Sequence, residues 1–466
     1  MLFSSLTFLF IFLPILIIIY FIAKDKYKNY ILLAASLLFY SWGEPKYILL
    51  MILSIIINYY IALLINKSSN DKVRKIMLLF SVVLNIGLLF GFKYLNFFIT
   101  NINNIGNISI PLLNISLPIG ISFYSFQILS YVVDVYKKDV KVQRNIFLLG
   151  TYISFFPQLI AGPIVRYSTI EQQLAHRKHS LEGVCNGIRR FIVGLGKKVI
   201  IANNAAIIAD NIFNSNILNQ YGLLILIIGA LSYTIQIYYD FSGYSDMAIG
   251  LGKIFGFTFL ENFNYPYIST SITDFWHRWH ISLSTWFRDY VYIPLGGNRC
   301  SKLKWIRNII IVWLLTGFWH GASWNYIIWG LYYAIILLLE KLLIGKYIEK
   351  LPKIIQWLYA FILINIGWII FRLENIEQLK IVFINIFTFK SSNIIDYLLK
   401  NYNIFNSFIF VIIGLIFMFP ILKQIRLKKY INVYSLLRDT GLIIILLLSI
   451  GALINNTYNP FIYFRF

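Results

Sequence analysis

Five histidines are spread through 466 residues, and one of them stands where ionisable side chains are rare. His320 lies in Leu315-Thr316-Gly317-Phe318-Trp319-His320-Gly321-Ala322-Ser323-Trp324-Asn325. It falls near the middle of residues 308–339, which contain no Asp, Glu, Lys or Arg. An ionisable side chain at membrane depth is a functional candidate by default; the bland alternative is a histidine that hydrogen-bonds a neighbouring helix. A second candidate is Asp274-Phe275-Trp276-His277-Arg278-Trp279-His280-Ile281-Ser282-Leu283-Ser284-Thr285-Trp286-Phe287-Arg288-Asp289-Tyr290. On a helix Trp276, Trp279 and His280 would share one face, with His277 pointing away. An interfacial aromatic belt with basic anchors explains that spacing as simply as a site does. His176 and His179 sit in the basic run Ala175–His179 and read as solvated surface residues.

A histidine pair in a water-poor cavity suits acyl transfer. One imidazole takes the proton of an acceptor hydroxyl, while the second group orients the donor or stabilises charge. Other chemistries lack their residues. The chain has no HExxH or Walker A sequence, no GxSxG elbow and no carboxylate pairing that suggests glycoside hydrolysis. Asp240 and Asp246 come nearest to such a pair and read better as helix-capping or pinning groups. Cys185 and Cys300 form no metal motif. No metal and no tightly bound cofactor are expected.

The elements that must position these residues are apolar. Fifty-nine percent of the chain is hydrophobic and only 13% charged, with a mean hydropathy of +0.72. That composition argues against a soluble enzyme, a disordered chain or a secreted disulfide scaffold. Runs long enough to span a bilayer recur throughout: Leu6–Ile22, Tyr30–Trp42, Ile48–Ile65, Ile76–Phe98, Leu117–Val135, Leu223–Tyr239, Ile309–Leu339, Ile354–Phe371, Phe405–Leu422 and Leu442–Leu453. Gly183–Ile208 is weaker, because Arg189, Arg190, Lys197 and Lys198 interrupt it. The expectation is an all-α polytopic protein of about ten to twelve crossings with re-entrant and interfacial helices, forming one domain over residues 1–466.

Forty-one Lys plus Arg against nineteen Asp plus Glu give a net charge of +22. Nucleic acid is not the expected partner, because the charges sit between apolar runs rather than on one basic face. Lys24, Lys26 and Lys28 follow the first run, Lys67, Lys72, Arg74 and Lys75 the third, and Lys137, Lys138, Lys141 and Arg144 the fifth. Residues 94–133 carry no charge. Lys and Arg accumulate in cytoplasmic loops, so this alternation places the N-terminus outside.

Three stretches break the serpentine pattern. Phe155–Pro163 carries two prolines and a glycine; it is either an interfacial turn or an irregular segment that must be buried in protein. Residues 240–305 are polar and aromatic and read as interfacial helices. A continuous helix over residues 308–339 would be roughly 48 Å long, against roughly 30 Å of hydrocarbon. Gly317 and Gly321 mark the expected break, beside His320.

Taken together these residues resemble the membrane-bound O-acyltransferase family over most of the chain. Leu117–Gln127, Phe156-Pro157-Gln158 through Gly162-Pro163-Ile164-Val165-Arg166, Asp240–Asp246, Trp279-His280 and Trp319-His320-Gly321 follow in that family's order. Arg288-Asp289-Tyr290-Val291-Tyr292-Ile293-Pro294-Leu295-Gly296-Gly297-Asn298-Arg299 is similar to the alginate O-acetyltransferase branch, which also includes peptidoglycan and cellulose acetylation proteins. The teichoic acid D-alanylation branch shares Trp279-His280 and Arg288-Asp289-Tyr290. The resemblance implies His320 as principal catalytic histidine and His280 as the second. It also implies a tunnel lined near Trp279, Trp319, Arg278, Asp289 and Asn325, with acetyl-CoA or another cytoplasmic acyl thioester as donor substrate.

The sequence closes on Asn459-Pro460-Phe461-Ile462-Tyr463-Phe464-Arg465-Phe466. It is similar to a motif of polymer-acylating systems in which the tyrosine carries the acyl group. A phenol has a pKa of about 10, so its ester is activated relative to a sugar ester. An aromatic interface anchor is the other reading of Tyr463. The implied setting is a bacterial cytoplasmic membrane, with an extracytoplasmic SGNH-type acetyltransferase partner and an envelope polymer as acceptor. D-alanyl transfer to teichoic acid, lipid acylation and a precursor transporter or flippase are the alternatives. The last would call for paired intramembrane charges or inverted repeats.

Overall fold

The computed structural model describes residues 1–394, 397, 401–421, 431–455, 459, 460 and 462. Among the described residues every regular element is helical. Among the described residues, seven helices are long and apolar enough to cross a membrane: Ile48–Lys67, Asp71–Gly106, Leu181–Phe213, Leu223–Ile254, Trp324–Ile348, Lys353–Arg372 and Ser435–Asn455. Phe8–Ile22 and Ile404–Phe417 are shorter apolar helices. The chain is thus an all-α, multi-pass membrane protein. Other apolar runs form shorter or less apolar helices. Ile121–Lys137, for example, is a 17-residue helix with 14 buried residues.

The chain forms two compact units, residues 1–191 with 247–260, and residues 192–246 with 261–466. In the first, Asn58 accepts hydrogen bonds from Ser81 at 2.6 Å and Asn85 at 3.0 Å, tying two spanning helices together with neutral polar groups. The Phe155–Pro163 stretch is irregular apart from the single turn Phe156–Leu159, and it is buried throughout. Buried protein is where such a backbone break is tolerated. His179 is not a solvated residue as its basic neighbours suggest. Its Nε2 lies 2.8 Å from the hydroxyl of Tyr20, and it is half-buried.

The second unit holds both histidine candidates. The weak run around residues 183–208 belongs to the 33-residue helix Leu181–Phe213, despite its basic side chains. Lys197 and Lys198 are neutralised by Asp246 at 2.6 Å and Asp240 at 2.7 Å. Those carboxylates sit on the 32-residue helix Leu223–Ile254. Residues 240–254 therefore continue a long helix rather than lying along the interface. Each run looks too polar alone; paired, their charges cancel.

Candidate active site

The chain breaks beside His320. The helix Lys302–His320 ends there, Gly321 is extended, and a new helix starts at Trp324. The two helices form a hairpin whose backbones nearly touch. A Cβ on Gly317 would overlap the carbonyl oxygen of Tyr326, and one on Gly330 that of Trp313. Gly317 is thus a contact point inside the helix, while Gly321 lies at the break, under the ring of Tyr326. Small residues let membrane helices approach this closely.

His320 is 5% exposed. Its ring meets Trp329 and Phe371 edge-on, each with centroids 5.2 Å apart, and Trp319 at 5.0 Å. Asn325 donates to the backbone carbonyl of Phe371 at 2.9 Å, which fixes one wall of this cage.

His280 is reached differently from the single-helix expectation. A short helix, Ile272–Arg278, ends before it, and a second, Ile281–Phe287, begins after it. His280 itself is left-handed, with φ 45° and ψ 52°. That conformation costs a non-glycine residue about 1–2 kcal/mol, so neighbouring bonds must hold it. The amide of Ile281 donates to the carbonyl of Asn262 at 3.0 Å, and that of Asn264 to Arg278 at 3.0 Å. The first helix is fixed by Glu340, whose buried carboxylate accepts from the amides of Ile272 at 2.7 Å and Thr273 at 3.0 Å and from the Thr273 hydroxyl at 2.7 Å. The Tyr359 hydroxyl donates to it as well, at 3.3 Å.

His280 is 1% exposed, and Phe241 packs edge-on against it at 4.6 Å. Burial pushes its imidazolium down to about 3, so the ring is neutral. Nδ1 lies 3.3 Å from Oδ1 of Asn262. The same oxygen accepts from the amide and hydroxyl of Ser282 at 3.1 and 2.9 Å. The Ser282 amide can only donate, so the oxygen must face it. Nδ1 of the neutral ring therefore carries the proton, and the lone pair sits on Nε2. Nε2 is buried, with no hydrogen-bond partner among the described residues.

A cavity of about 470 Å³ opens beside this turn. His277, His280, Ser284, Thr285, Arg288 and Lys341 line it, together with Trp276 and Trp313, which pack against each other. It reaches Thr316, one helical turn before His320. The two candidate histidines meet through Trp319, whose ring lies 6.0 Å from His280 and 5.0 Å from His320.

The other sequence candidates divide. Trp279 is packed among Phe263 at 5.0 Å and Trp368 at 4.8 Å, so it supports the site from its aromatic core. Arg278 pairs with Asp274 at 2.8 Å, and Asp289 with Arg288 at 2.6 Å, tying their neighbours in place. Tyr463 lies outside the described residues. Asn262, Glu340, Trp329 and Phe371 are the residues that spacing does not single out. Asn262 and Glu340 act over 18 and 68 positions of chain, where no local pattern can signal them. No group of His, Cys, Asp or Glu suited to a metal occurs among the described residues.

The chain belongs to the membrane-bound O-acyltransferase family, whose model matches residues 37–377. It is 43% identical over 385 residues to the probable alginate O-acetylase AlgI of Pseudomonas aeruginosa, covering 81% of this chain and 73% of that protein. It is 38% identical over 413 residues to the peptidoglycan O-acetyltransferase of Helicobacter pylori, covering 81% and 78%. The teichoic acid D-alanyltransferase of Bacillus subtilis is 33% identical over 259 residues, covering 52% and 62%. The protein is therefore a membrane O-acyltransferase.

Proposed function

We propose that this enzyme O-acetylates an extracytoplasmic polysaccharide or peptidoglycan, drawing the acetyl group from a cytoplasmic thioester, acetyl-CoA. The observation that carries this reading is the pair of buried histidines in ring contact with Trp319, one of which opens on a cavity. His320 removes the acceptor proton as its oxygen attacks the thioester carbonyl. The oxygen–acyl bond forms, the carbon–sulfur bond breaks, and the leaving thiolate takes the proton back. His280, held neutral with its Nε2 lone pair buried, orients the reacting hydroxyl. The basic and hydroxyl groups of the cavity suit the polar part of a thioester donor.

The relatives support this acceptor class: two that match over 81% of this chain are named for O-acetyl transfer to alginate and to peptidoglycan. In the full reaction Tyr463 takes the acetyl group first as a phenyl ester and hands it to an SGNH-type partner or the polymer outside. Its role rests on the resemblance of residues 459–466. The proposed setting is the bacterial cytoplasmic membrane with the N-terminus outside, in one functional domain.

The test is His320→Ala in cells that acetylate their envelope polymer. Alkali-released acetate should fall at least about a hundredfold, with the inserted protein at its normal amount; normal acetate release would overturn the reading. Tyr463→Phe keeps an aromatic anchor and should still block transfer.

A further inference from the structure

A buried ion pair in the second unit does more than join two helices. Lys198 and Asp240 lie 2.7 Å apart with their side chains 3% and 2% exposed. Taking two charges out of water is expensive and is recovered only when their remaining hydrogen-bonding capacity is used. Joining the helices does not require this pair, because Lys197 and Asp246 already bridge the same two helices at 2.6 Å. The remaining capacity of Lys198 and Asp240 goes largely to the closing segment. The Lys198 ammonium donates to the carbonyl of Pro460 and to Asn203 at 2.9 Å. The other Asp240 oxygen accepts from the amide of Ile462 at 2.8 Å. Asn203 adds a bond to Asn459 at 3.2 Å, and Ile462 is buried.

We propose that the Lys198–Asp240 pair is a two-point clamp that docks the segment Asn459–Ile462 in one register, and that both are positioning residues for acyl transfer. The second half rests on the acyl-transfer reading above; the docking does not. The clamp offers a cation to a carbonyl and an anion to an amide two residues further on. A slip of two residues would set Pro460, which has no N–H, against Asp240. The segment is thereby joined to the histidine site through one helix. Asp240 holds Ile462, while the next residue, Phe241, packs edge-on against His280 at 4.6 Å. Ile462 is thus held at a fixed point on the element that supports His280.

Two measurements on the full chain test this. The first is hydrogen–deuterium exchange, by mass spectrometry, of the peptide carrying residues 459–466. Lys198→Met and Asp240→Asn should each speed its exchange by about tenfold, because charge-assisted bonds are lost, and Lys198→Arg should restore part of the protection. Unchanged exchange in both loss variants overturns the docking, whatever the activity. The second is polymer acetylation in the same variants, which should fall at least about tenfold. Faster exchange with full acetylation overturns the positioning role. If either substitution loosens the whole protein, Ile462→Pro decides, since it deletes the amide that Asp240 binds and leaves the ion pair intact. Lost acetylation with exchange elsewhere unchanged supports the clamp, and full acetylation overturns it. Normal acetate release from His320→Ala would sink the acyl-transfer reading without altering the exchange result.

Discussion

Asn262 and His280 are joined at 3.3 Å by a contact that settles which ring nitrogen carries the proton. The amide oxygen is shared with Ser282, so it cannot turn away without stranding the Ser282 amide. The unprotonated nitrogen follows from that geometry, and so does the ring's orientation against Phe241 and Trp319.

The first prediction concerns that contact. Asn262→Ala removes the acceptor and frees the imidazole to change tautomer. Acyl transfer should drop by about tenfold or more, mainly in kcat, because the cavity beside His280 is not rebuilt. Single-turnover rates in detergent or nanodiscs read this directly. A change confined to KM would assign Asn262 to donor binding instead.

Burial of His280 also has a consequence for stability. Its folded pKa of about 3 lies below the ordinary value of about 6.5 for an unfolded histidine. The unfolded chain therefore takes up a proton first as pH falls. His280's contribution is fully present above about 6.5 and is lost as pH falls toward 3, by at most about 1.4 kcal/mol per pH unit. Melting curves between pH 7.5 and 5 should show wild type losing stability on acidification. His280→Asn should show a flatter dependence over the same range, although it melts lower at neutral pH.

Much of the architecture is legible in the chain itself. Residues 308–339 are too long for one crossing and carry glycines beside a histidine, and the break falls there, at Gly321. The irregular Phe155–Pro163 stretch is likewise marked by its own prolines. The features that escape are pairings. Lys198 on one run and Asp240 on another each look like a reason not to span, because hydropathy scores a charge without its partner. His280 looks helical because period and spacing cannot register a left-handed residue held by Asn262. Glu340 looks like the polar end of an apolar run, yet it caps a helix that starts 68 positions earlier.

That capping carries its own prediction. Glu340 accepts four hydrogen bonds, three of them from the start of the helix leading to His280. Glu340→Gln keeps the shape but places an amide NH2 against N–H and O–H donors. It should destabilise the protein by about 1.5–3 kcal/mol and reduce acyl transfer. Thermal unfolding followed by intrinsic tryptophan fluorescence reports the first, since Trp276 belongs to the displaced helix. Wild-type stability would show that the carboxylate is dispensable to this helix.

The helix hairpin beside His320 supplies the last prediction. At Gly330 an added methyl meets the carbonyl of Trp313, and the Cα of Gly317 lies 3.4 Å from it. Neither obstacle is the far end of a flexible side chain, so relief requires the two helices to part. Gly330→Ala should therefore destabilise by about 1–3 kcal/mol. It should also shift Trp329, the next residue back, whose ring meets His320 at 5.2 Å. Activity should then fall further than the loss of folded protein accounts for. An exposed control, Gly87→Ala, has no atom within 4 Å of the added methyl and should leave both measurements unchanged. Equal effects at the two glycines would mean that the tight crossing, and the position it gives His320, has no part in the reaction.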